Sequence, residues 1–167
     1  MLKYLYFFVF FLFLPISSYS QPCELKKEVY TCHHKDVRVS REPGNSVKDV
    51  EVYLDVEEEN SDLTVFLTLD VGSSSWNFQG VKKAYGTADG MNYLFSAKRV
   101  KTNTVSLEGD DNHLYLERVV VVLQNDHYIE NVANGKTFVL KINGVSFNLE
   151  HVVKDIKKAD DPHQNSS

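Results

Sequence analysis

Hydrophobic and polar residues alternate through much of the chain with the two-residue period of strands. Val50, Val52, Leu54 and Val56 alternate with Glu51, Tyr53, Asp55 and Glu57. After the polar run Glu58-Glu59-Asn60-Ser61-Asp62, residues Leu63, Val65, Leu67, Leu69 and Val71 alternate with Thr64, Phe66, Thr68 and Asp70. The two segments predict an antiparallel hairpin with one dry and one wet face. Phe66 falls on the wet face, so something is expected to cover it.

Shorter runs extend the pattern. Val37 and Val39 predict a short strand, and Trp76 and Phe78 stand two apart, as on one face of a strand. Met91, Tyr93, Phe95 and Ala97 predict another strand, and Val105 with Leu107 a further short one. Val119 to Val122 is β-branched throughout, which costs side-chain freedom in a helix and suits a sheet. Being apolar on both sides, it predicts a central strand covered on both faces. Asn143-Gly144 fits a type I′ turn, which needs positive φ at both positions. That turn pairs Ile142 with Val145, Leu140 with Phe147 and Phe138 with Leu149, all apolar and on one face.

Two helices interrupt the strands. Residues 127–133 predict a short helix capped by Asp126, with Ile129, Val132 and Ala133 on one side and a left-handed stop at Asn134-Gly135. Leu149, Val152, Val153 and Ile156 recur at helical spacing and predict a C-terminal helix over 149–158. Asn148 is placed to cap it, Glu150 suits its first turn and Lys157-Lys158 its last. The fold class expected is mainly β, a β-sandwich or a curled antiparallel sheet, with the C-terminal helix against one face or closing one end.

The opening residues do not belong to that pattern. Met1-Leu2-Lys3 is a short basic start, Tyr4 to Ile16 carries no charge, and Ser18-Tyr19-Ser20 puts small residues two apart. This is the layout of a secretory signal. The apolar run is shorter than the roughly 20 residues a membrane span needs. The division expected is a signal peptide over 1–20 cut after Ser20, one β-rich domain over 21–158 and a disordered polar tail over 159–167. No membrane span remains after the signal is removed, and the destination expected is periplasmic or secreted.

Charge and cysteines narrow the chemistry. The formal net charge is −5, and loss of Lys3 makes it more negative still. An acidic surface disfavours nucleic acid, whose phosphates need a positive face, and favours a basic partner. In an exported chain the two cysteines, Cys23 and Cys32, read as one disulfide in the polar N-terminal arm. The short loop it closes contributes about 2–3 kcal/mol, enough to pin the arm.

Cys32-His33-His34-Lys35-Asp36 is the densest group of potential metal ligands. Adjacent histidines on a strand point to opposite faces, and the disulfide consumes the thiol. The reading taken is surface histidines beside a disulfide; His33, His34 and Asp36 are only weak metal candidates, and no cofactor is expected. His113, His127 and His151 are scattered, and Gly72-Ser73-Ser74-Ser75 lacks the context of a nucleophile elbow. The acidic runs Glu57-Glu58-Glu59 and Asp110-Asp111-Asn112 do not follow a calcium loop and read as solvated turns. Trp76, Phe78, Tyr85 and Tyr93 form an aromatic-rich middle that serves as a binding surface or fills the core. The functional expectation is a non-enzymatic exported protein that binds a protein partner or small ligand: a virulence factor, an inhibitor or an envelope accessory. The alternatives are a small exported hydrolase or metal-dependent enzyme using the histidines, and a carrier of a small apolar ligand.

Overall fold

The alternating segments assemble into one antiparallel sheet of ten strands, curled into a half-barrel. The structure, a computed structural model, describes residues 23–27, 29–35, 37–41, 47–59, 61–106 and 113–160. The expected signal segment and its cut after Ser20 lie outside these residues, as do Asp36, the Pro43-Gly44-Asn45 turn, residues 107–112 and the tail from 161. Among the described residues no helix is long and apolar enough to cross a membrane.

In chain order the elements are β1 (Cys23–Lys26), β2 (Val29–His34), β3 (Arg38–Arg41), β4 (Val47–Glu59), β5 (Asp62–Ser73), β6 (Lys83–Ala88), β7 (Met91–Ser106) and β8 (His113–Gln124). There follow α1 (Asp126–Asn134), β9 (Phe138–Ile142), β10 (Val145–Asn148), α2 (Glu150–Val153) and α3 (Ile156–Asp160). The strand order is β1-β2-β4-β5-β8-β7-β6-β9-β10-β3. β2 and β3 therefore belong to opposite ends of the sheet, yet only residues 35–37 join them. From His34 to Arg38 the chain reaches at most about 14 Å, so the two ends must curl toward each other. α2 touches both β4 and β9, across this gap.

The predicted hairpin is β4–β5, with Val56 opposite Val65, Leu54 opposite Leu67, Val52 opposite Leu69 and Val50 opposite Val71. A single rung, Cys32–Leu54–Leu67–Val121–Ala97, runs from β2 to β7 with every side chain buried on the concave side. Val119 and Val121 of β8 are fully buried there, but Val120 and Val122 on the convex side are only half-buried. The strand is central in the sheet and covered fully on one face only. Phe66 is likewise half-buried.

Asn143 and Gly144 take φ of 46° and 81°, and β9 and β10 pair in the predicted register. The Leu149 amide donates to the Phe138 carbonyl just beyond the last ladder pair. Phe138, Leu140, Ile142, Val145, Phe147 and Leu149 are all buried. Gly86 of β6 faces this cluster: a Cβ there would lie 2.5 Å from Phe95 Cε2 and 3.0 Å from Phe138 Cε2. Only glycine admits so close an approach of two rings.

In the N-terminal arm β1 and β2 form a hairpin in which Cys23 lies opposite Cys32 and is disulfide-bonded to it, the expected pairing. Several other expectations are corrected. Trp76 and Phe78 are not on a strand but in the irregular segment between β5 and β6. The Glu117 carboxylate holds that segment by accepting the Asn77 and Phe78 amides at 2.7 and 3.1 Å. Val105 does not start a new strand, because β7 runs unbroken from Met91 to Ser106.

Asn125, not Asp126, caps α1, accepting the His127 amide, while Asp126 receives the Leu63 amide from β5. Gly135 ends the helix in an extended, not left-handed, conformation. The C-terminal helix is split into α2 and α3. At the break, the Asp155 and Lys158 amides donate three residues back, to Val152 and Asp155, which tightens the chain. The split keeps Leu149, Val152, Val153 and Ile156 buried while turning Asp155 toward β2. Asn148 still accepts the Glu150 amide, Glu150 pairs with Lys154, and Lys157-Lys158 fall in the last turn.

Candidate binding face

On the convex side, register aligns polar side chains in rungs across four strands. One rung is Glu51–Asp70–Arg118–Lys101, from β4 through β5 and β8 to β7. The next on one side is Tyr53–Thr68–Val120–Lys98, extended by His33 of β2 opposite Tyr53. On the other side it is Asp49–Gly72–Leu116–Asn103. Lys101 and Asn103 reach this face because the β7–β8 register slips between Arg99 and Lys101. Arg99 faces the concave side opposite Val119; the bulge at Val100 reverses the alternation, so that Lys101 lies opposite Arg118.

Several of the charges in these rungs hold one another. Arg118 binds Asp70 in bidentate fashion, Nε to Oδ1 at 2.6 Å and a terminal nitrogen to Oδ2 at 2.5 Å. Donation to the Asp70 carboxylate raises the Arg118 pKa above its ordinary value. Glu51 lies opposite Asp70, a like-charge pairing. Its Oε2 accepts from the Tyr53 hydroxyl and meets His33 Nε2, both at 3.0 Å. The Tyr53 bond, then the His33 contact, hold the Glu51 carboxyl below the usual range. Desolvation, then the Glu51 bond, raise the Tyr53 pKa. His33 stacks on Tyr53 at 4.3 Å, and the Arg118 guanidinium lies 6.0 Å from the same ring centroid. These mutual contacts fix long side chains in place before any ligand arrives.

Beside the held charges lies a hollow of about 290 Å³, lined among others by Asp49, Gly72, Lys101, Asn103, Leu116 and Arg118. Gly72, one of its lining residues, contributes no side chain to its rung. A Cβ there would meet Leu114 and Leu116 at 3.5 Å, ordinary contact, so the position has room for a methyl group. The volume of the hollow is at the lower end for small-molecule pockets, about 300–1,000 Å³, and suits one protruding side chain.

The residues singled out in sequence are distributed as follows. Trp76 is 40% exposed, edge-on to Tyr115, with Arg99 5.8 Å over its ring. Arg99 also pairs with the fully buried Glu117 carboxylate at 3.0 Å. Phe78 and Tyr93 are buried in the core, while Tyr85 is 61% exposed on the outer face of β6, opposite the exposed Leu94. The four aromatics therefore form no single surface. His33 and His34 point to opposite faces, His33 to Glu51 and His34 to Asp155. His113 Nδ1 lies 3.3 Å from Ser106 Oγ, and His127 Nε2 lies 3.2 Å from Asn131, all exposed. His151 and Glu57 to Glu59 are exposed too. Sequence reading missed Gly72 and Arg118. Gly72 entered only as the start of Gly72-Ser73-Ser74-Ser75, and pairing Arg118 with Asp70 requires the β5–β8 register.

No protein-family model, no curated protein and no solved structure matches the chain.

Proposed function

We propose that the chain is an exported, non-enzymatic interaction protein whose convex face receives a basic segment of a protein partner at the Gly72 hollow. The observation that carries this reading is the hollow itself, set in an ordered frame of charged and aromatic side chains. Asp49 and Glu51 border one end of the hollow and Leu116 its middle. A lysine or arginine can lay its apolar stem on Leu116 and carry its charge to the carboxylates. The overall acidity of the chain favours the same partner.

Export is supported by the signal-like opening and by the Cys23–Cys32 disulfide. An interaction role is favoured over carriage of an apolar ligand because side chains of the strands, α1 and α2 fill the concave side. It is favoured over hydrolysis because the Ser106–His113 contact is exposed on both partners, without the shielding that activates a hydroxyl.

The test is binding of the exported protein to arrayed peptides of graded lysine and arginine content, against Gly72→Val and Asp49→Lys variants. Tighter binding to basic peptides, lost in both folded variants, is the expected result. Equal binding by parent and variants would remove the hollow from the function. An intact mass retaining residues 1–20 on cytosolic protein would remove export.

A further inference from the structure

On the side of the sheet opposite the hollow, four potential ligands from three elements converge. Cys23 of β1 and Cys32 of β2 are joined, and Asp155 lies between α2 and α3; a sulfur of each cysteine and a carboxylate oxygen all lie within 4.8 Å of one another. His34, two residues after Cys32 on the same strand face, puts Nε2 3.0 Å from Asp155 Oδ2. Cys32 and Asp155 are buried, and Cys23 is half-buried.

Two features of this cluster are not accounted for by the disulfide. His34 Nε2 is buried, and the polar atom it faces is Asp155 Oδ2 at 3.0 Å, an ion-pair contact. Cys23 Sγ lies 3.3 Å from Asp155 Oδ2, yet a disulfide sulfur has no proton to donate, so two electron-rich atoms face each other. Both contacts resemble the edges of a metal tetrahedron. With Zn–N, Zn–O and Zn–S bonds of the usual lengths, such edges are about 3.3 Å for N···O and about 3.6 Å for S···O.

We propose that reduction of Cys23–Cys32 opens a zinc site whose ligands are the two cysteine sulfurs, His34 Nε2 and an Asp155 carboxylate oxygen. A dithiol reductant supplies two electrons and two protons and itself becomes a disulfide, while the protein S–S bond breaks to two thiols. Zinc then displaces both thiol protons to solvent and bonds the two thiolates. Two thiolates and a carboxylate around Zn²⁺ leave one net negative charge. Lys158 offsets it, with Nζ 2.5 Å from Asp155 Oδ1. Soft sulfur ligands with one imidazole select zinc over calcium or magnesium. The sulfurs must move apart, which an edge strand such as β1, paired on one side only, allows. His33 on the opposite face takes no part. In the oxidised protein the cluster fastens the N-terminal hairpin by a covalent bond; in the reduced protein the metal does so.

The probe is Co²⁺ alone, titrated anaerobically into the full exported chain before and after phosphine reduction. The reduced protein is expected to bind one Co²⁺ with tetrahedral visible bands and a sulfur charge-transfer band, and to release it to Zn²⁺. The oxidised protein gives neither band. Asp155→Asn and His34→Ala are expected to weaken binding by at least about tenfold, and His33→Ala to leave it unchanged. Should reduction unfold the chain, Zn²⁺ must restore its β circular dichroism. Failure to bind or to refold, or equal affinity in the His34 and Asp155 variants, overturns the proposal.

Discussion

Gly72 of β5 and Leu116 of β8 face each other across the ladder, and both line the hollow. Because a Cβ at Gly72 makes only ordinary contacts, the position separates binding from folding. Gly72→Ala is expected to hold or raise stability by up to about 1 kcal/mol, since alanine loses less backbone entropy in a strand. Gly72→Val reaches further into the hollow and should abolish peptide binding in the folded variant, with Gly72→Ala as the control for stability. Thermal unfolding beside binding isotherms checks both.

Gly86 is the opposite case. A methyl group there collides with Phe95 and Phe138, both buried. Gly86→Ala is expected to cost about 1–3 kcal/mol, the range for overpacked cores. Urea unfolding that shows no lower midpoint would mean the rings move aside freely.

Glu117 is buried with Arg99 and two backbone amides as its partners. Glu117→Ala leaves that guanidinium and those amides uncompensated, with an expected loss of about 3–5 kcal/mol. It should also release the segment carrying Trp76. Tryptophan fluorescence is expected to shift to the red in the folded variant, and an unchanged spectrum would detach Trp76 from Glu117.

Asp89 gives a pH prediction. Its carboxylate accepts the Lys136 and Thr137 amides at 3.0 Å, and these backbone bonds hold its pKa below the usual value. A lowered folded pKa means that the ionised form favours the native state. The contribution is complete above the ordinary aspartate pKa of about 3.9 and is lost as pH falls through the lower folded value. Asp89→Asn keeps an acceptor but not the charge. It should flatten the stability loss below about pH 4, as read from urea midpoints along the acid limb. An acid limb as steep as the parent's would assign the slope to other carboxylates.

The same aspartate illustrates how much was legible. Asp89-Gly90 is a two-residue turn between Ala88 and Met91, with φ of 47° and 83°. It carries the same signal as Asn143-Gly144, but Gly86 interrupts the apolar alternation of β6, so no period of two marks the strand before the turn. The β4–β5 and β9–β10 hairpins were readable because period and turn chemistry agree there. The bulge at Val100 was not, since one extra residue reverses which side chains share a face.

The sequence by itself determined which residues alternate, that Asn143-Gly144 turns the chain, and that only two cysteines exist to pair with each other. Those are local properties, set by backbone sterics and side-chain polarity within a few residues. Tertiary structure alone decided that Gly72 meets Leu116, that Arg118 grips Asp70, and that Asp155 reaches His34 and Cys23. Such contacts join positions tens of residues apart or more. They follow from strand order and register, which a period of two leaves open until the sheet curls and its core is filled.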